Sequence, residues 1–131
     1  MKLTILVALL TITTFAQITG GTIVAIRPDP QDGMPGTVTA TAGVLSCTAT
    51  GDKAGAASVR ITCTNNGKAQ SAQAFTPTKP SAKTFTLNDS AGDEIEVKLS
   101  LAKEKDGVQR ITWVVMATPN GGKLATLNGV F

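Results

Sequence analysis

The only two cysteines of this chain, Cys47 and Cys63, constrain its fold more than any other feature. Each lies in a run that alternates apolar and polar residues, and Gly51-Asp52-Lys53-Ala54-Gly55 sits between the runs. Two alternating runs around a polar, glycine-containing turn predict a β-hairpin. Pairing Cys47 with Cys63 sets Ala49 opposite Ile61. Leu45, Cys47 and Ala49 then share a face with Val59, Ile61 and Cys63, so staple and apolar pattern select the same register. Closing a loop of this length contributes roughly 3 kcal/mol on the chain-entropy model. A bridge between strands of two facing sheets is the alternative the sequence leaves open. A redox or nucleophilic thiol is disfavoured, because there is no C-x-x-C pair and no histidine anywhere to activate one.

The N-terminus supports an oxidised pair. Met1-Lys2 is followed by the apolar run Leu3–Ala16, and Thr14 and Ala16 fit a small-x-small cleavage site. That is the layout of a secretory signal peptide. Cleavage is expected after Ala16, with Gly20 as the second choice, leaving residues 17–131 as one domain in the extracellular space. The run is shorter than the roughly 20 apolar residues that span a bilayer, so no membrane span is expected. Secretion is also where disulfides persist.

Along the rest of the chain, short β-branched runs alternate with turn chemistry. Strands are expected at Thr22–Arg27, Thr37–Ala42, around the two cysteines, weakly at Ala69–Phe75, then at Lys83–Leu87, Glu94–Leu101, Val108–Ala117 and Lys123–Leu127. Apolar parity flips after Gly43, which suggests a bulge or a bend between sheets. Trp113 to Ala117 is apolar on both faces, as in a central strand covered on both sides or one lying against another molecule. About eight strands at this spacing predict an all-β sandwich. Four Phe, one Trp and no Tyr make its core thin. Trp113 beside a disulfide gives an immunoglobulin-like architecture by analogy. The cysteine spacing is not that family's, because there the Trp lies between two distant cysteines.

Charge and side-chain inventory narrow the chemistry. The formal net charge is +3, and the lysines are scattered rather than striped with aromatics, so no nucleic-acid partner is expected. With no histidine, serine–histidine and cysteine–histidine nucleophiles are excluded, together with most zinc, copper and non-haem iron sites. No cofactor and no metal are therefore expected. Glu94 and Glu96 share one strand face about 7 Å apart, within the range of glycosidase pairs, but without an aromatic platform they read as solvent-facing residues. Asp29 and Asp32 could offer oxygens to calcium, yet lack the ordered ligand series of a calcium loop. Asn88-Asp89-Ser90 matches the N-glycosylation pattern in a surface turn, making Asn88 a candidate modification site.

With its leader, size and single disulfide, the chain resembles in general character the small secreted proteins of fungi, including effectors that act on a host. The expected function is a non-catalytic interaction domain with a protein or glycan partner. Loops on a rigid scaffold usually carry such function, and the two proline-stiffened loops 28–36 and 76–83 are the candidates, through Asp29, Gln31, Asp32, Met34, Lys79 and Lys83. A threonine face (Thr37, Thr39, Thr41) is a second candidate surface. The alternative is a structural subunit of a surface layer or filament, self-associating through sheet edges. A glycan-active enzyme using carboxylates comes third.

Overall fold

The computed structural model describes residues 20–53, 55–103, 107 and 109–131. The expected leader, residues 1–16, Ala54 of the turn between the cysteine runs, and Val108, the first residue of an expected strand, lie outside them. The described residues form ten strands: β1 Thr22–Ile26, β2 Thr37–Ala42, β3 Leu45–Gly51, β4 Val59–Asn65, β5 Lys68–Ala69, β6 Gln73–Phe75, β7 Ser81–Asn88, β8 Glu94–Lys103, β9 Gln109–Thr118 and β10 Ala125–Val130. No helix occurs among the described residues, hence none long and apolar enough to cross a membrane.

The strands form two antiparallel sheets. One has the order β1-β2-β3-β4-β5, with β6 also paired to β4, and the other has the order β10-β9-β8-β7. Within each sheet the connections are mostly consecutive hairpins, so the molecule is a small β-sandwich built from two meanders. Period-2 alternation decides which residues enter the space between the sheets. Val38, Ala40, Ala42, Leu45, Cys47 and Ala49 point inward from β2 and β3, against Ile95, Val97, Leu99, Ile111 and Val115 of the other sheet.

The disulfide joins Cys47 to Cys63 within one sheet. The two are directly opposite on β3 and β4, and Ala49 opposes Ile61, which is the hairpin register expected from the alternation. The outward positions of β2, β3 and β4 form rows of hydroxyls, such as Thr39, Thr48 and Thr62 in mutual register, with a 3.0 Å hydrogen bond between the Thr39 and Thr48 hydroxyls.

Four expectations are corrected. Gly43 is neither a bulge nor a bend between sheets. Ala42 pairs with Leu45, so Gly43-Val44 is a two-residue hairpin loop, and Gly43 at φ +60° takes the left-handed first position that such loops favour. The weak strand expected at Ala69–Phe75 breaks into β5 and β6. The last strand starts later and runs to Val130, because Gly129 continues the ladder opposite Trp113. A Cβ on Gly129 would lie 2.6 Å from Trp113 Cζ2, so the indole needs a glycine beneath it. Finally, β9 is central but covered on one face only, with Val114 exposed on the other.

Candidate functional site

A chain of registers gathers the expected loops at one end of the sandwich. Ile26 opposes Thr37, Thr37 opposes Thr50, Gly51 opposes Val59, and Val59 opposes Phe75. The connections 27–36, 52–58 and 76–80 therefore leave the six-stranded sheet side by side. Phe131 supports them from below: it is buried, it donates its N–H to Ile111 O at 3.0 Å, and its ring lies against Gly36 and Gly51. Trp113 stands beside it, with ring centroids 6.5 Å apart.

Each loop is stiffened by its own polar groups. Asp29 and Met34 exchange two backbone hydrogen bonds of 3.1 and 3.0 Å. Asp29 Oδ1 accepts the N–H groups of Gln31 (2.9 Å) and Asp32 (3.3 Å), the side-chain turn that aspartate favours. Gly33, at φ +68°, closes that turn. In the middle loop, Asp52 Oδ1 accepts Ala57 N–H at 3.1 Å. Gly51 N–H donates to Gly36 O at 2.9 Å, and the Ser58 and Thr76 hydroxyls meet at 3.0 Å, so the three connections are tied together. In the third, Ser81 Oγ donates to Lys79 O.

A concavity of about 240 Å³ lies between the first two loops, lined by Asp29, Pro30, Gly33, Met34 and Lys53. Gln31 and Asp32 are exposed on its outer side, and Lys79 is exposed on the third loop. The arrangement offers mixed charge, an exposed Met34 thioether and preset backbone, which suits recognition. Among its lining residues the ionisable groups are Asp29 and Lys53.

Other candidates fall elsewhere. Lys83 belongs to β7 rather than to a loop. Its Nζ lies 5.1 Å from the centroid of the Phe85 ring, and it lines an open space with Cys47, Cys63 and Ile61 at the far side of the sandwich. Glu94 and Glu96 face outward on β8, opposite Thr118 and Met116, on an open sheet face. Asp29 spends one carboxylate oxygen on its own turn. Among the described residues, no group of three or more His, Cys, Asp or Glu is placed to hold a metal ion. Asn88 is exposed at the end of β7, at the opposite end from the loops.

The sequence reading missed one polar cluster at that opposite end. Asp93 is only 7% exposed, and its Oδ1 accepts Asn120 N–H at 2.8 Å. Asp89 Oδ1 accepts the N–H groups of Asp93 (2.9 Å) and Ala91 (3.0 Å), while its Oδ2 is shielded and accepts nothing. Desolvation pushes the Asp89 pKa up. Hydrogen bonds from the backbone N–H groups of Asp93, Ala91 and Gly92 outweigh it and hold the carboxyl below its ordinary value. The cluster joins the β7–β8 turn to the β9–β10 turn, and the Gly43 turn packs on it. Only the spacing Asp89-x-x-x-Asp93 hinted at it, because Gly43 and Asn120 are remote in sequence.

No protein-family model, curated protein or solved structure matches this chain significantly.

Proposed function

We propose that this protein is a non-catalytic extracellular binding domain whose contact surface is the loop end formed by residues 28–36, 52–58 and 76–80. The carrying observation is the register chain that sets three internally bonded loops in one row. Preset loops lose little freedom on binding, so more of the contact energy remains as affinity. The disulfide, together with the leader-like N-terminus, supports an oxidising, extracellular setting. The ligand class is a protein or glycan surface of mixed polarity, contacted through Gln31, Asp32, Met34 and Lys79.

The test is binding to an array of extracellular glycans and surface proteins, read by biolayer interferometry. The Asp32→Ala/Lys79→Ala protein should lose at least tenfold in affinity for whatever the parent binds. Thr39→Lys on the hydroxyl face should leave that affinity unchanged. The reverse pattern moves the site to the sheet face and defeats the proposal.

A further inference from the structure

The side of the sandwich bounded by β1 and β10 is left open. Gly20 bridges Lys123 in parallel, and Gly21 N–H donates to Lys123 O at 3.0 Å, so the two sheets touch there. Beyond that point no ladder joins β1 to β10 among the described residues. A cleft of about 560 Å³ separates them, lined by Ala25, Trp113, Leu127 and Phe131. Ala25 opposes Val38, and Leu127 opposes Val115; both partners are core residues, so both side chains point between the sheets. Yet Ala25 is exposed and Leu127 is 40% exposed. Inward-facing apolar positions thus remain uncovered.

Sheet edges normally carry protection: brevity, proline or an inward charge. β5 and β6 are two and three residues long, and β7 carries Lys83 on its inward side. β1 (TIVAI) and β10 (ATLNGV) have none of these devices. The charged groups lining the cleft are Arg27 and Arg110, and Arg27 follows β1 at the end away from the Gly20 bridge.

We propose that this cleft binds an extended peptide segment of a partner protein, with apolar residues at alternate positions and an acidic residue at its N-terminal end. Because β1 and β10 run parallel, one inserted strand is antiparallel to both and pairs with either edge. Main-chain bonds then supply affinity, and alternate side chains filling the space over Trp113 and Leu127 supply specificity. Running antiparallel to β1 brings the N-terminal end of the segment to Arg27, where an acidic side chain is complementary. A second copy of this chain cannot meet that requirement through its edges, since β1, β5, β6, β7 and β10 contain no Asp or Glu.

Trp113 is the only tryptophan, so its emission reports on the cleft directly. The probe is a capped hexapeptide of glutamate followed by alternating valine and threonine, titrated into the full protein. A saturable emission change is expected. Arg27→Ala should weaken it up to about fivefold, the worth of an exposed ion pair, and lysine in place of the glutamate should weaken it further. Ala25→Lys, and independently Leu127→Lys, should abolish the response in proteins that keep the parent circular dichroism, whereas Asp32→Ala on the loop end should not alter it. No saturable response in the parent protein overturns the proposal, as does equal affinity for the glutamate and lysine peptides. Emission that shifts with protein concentration alone, with dimers in sedimentation that Ala25→Lys dissolves, would make a second copy the occupant and refute the peptide.

Discussion

Replacing Gly43 by alanine tests how the three turns at the end opposite the loops are held. The backbone there has φ +60°, which costs an L-residue about 1–2 kcal/mol. The new Cβ would also lie 2.5 Å from Asp93 Oδ2, and the carboxylate must move. Moving it endangers the 2.8 Å bond to Asn120 N–H, and a part-buried donor left without a partner costs about 1–3 kcal/mol. Gly43→Ala should therefore destabilise by about 2–5 kcal/mol. Asp93→Ala alone should cost about 1–3 kcal/mol through the same lost bond. In the double variant there is no carboxylate to displace, so only the backbone term is added. Its loss should fall short of the sum by about 1–3 kcal/mol, the coupling expected of residues in contact. Urea unfolding of the four proteins at neutral pH, with equal slopes, measures this. Additivity within about 0.5 kcal/mol would show that the turn does not press on the carboxylate, and the account of this cluster would be wrong.

Three further outcomes are expected. Because folding lowers the Asp89 pKa, its contribution is complete above the ordinary carboxylate range and fades as pH falls through that range toward the folded value; urea midpoints followed from pH 6 to pH 2 should drop less steeply for Asp89→Asn than for the parent. Cys47→Ser/Cys63→Ser should lose roughly 3 kcal/mol of stability while any binding through the loop end persists below the melting temperature; a folded variant that no longer binds would contradict the separation of staple and site. Gly129→Ala should cost about 1–3 kcal/mol by overpacking and shift the Trp113 emission, and an unperturbed spectrum would remove the reason given for a glycine in β10.

The legible parts of this fold were those fixed by local periodicity. The alternation around Cys47 and Cys63, and in β8, reports a half-buried sheet whatever lies opposite. The turn that begins at Asn88-Asp89-Ser90 announces itself by residue type. The illegible parts depended on partners. A parity flip at Gly43 is the same string whether it marks a bulge or a two-residue hairpin, and only the pairing of Ala42 with Leu45 decides. The last strand was expected to stop at Leu127, short of Gly129, because what gives that glycine its place, the Trp113 ring, is on the neighbouring strand. The proline-stiffened loops were visible one at a time, but their arrival at a common end follows from pairing across five strands. The open β1–β10 side was invisible, since Ala25 and Leu127 look like ordinary core residues until the sheets are placed.

The position of the disulfide has a mechanical consequence. The bond closes the hairpin below the middle loop, so tension applied along the chain passes through the sulfurs and bypasses the residues between them. At about 3.4 Å per residue, the 16-residue separation removes roughly 55 Å from the length the chain can gain when stretched. Residues 52–58 would keep their hairpin base while strands outside the bond are drawn out. A domain tethered under flow or drag would then retain its middle loop after its outer strands had yielded, and reduction would release that length in a single step.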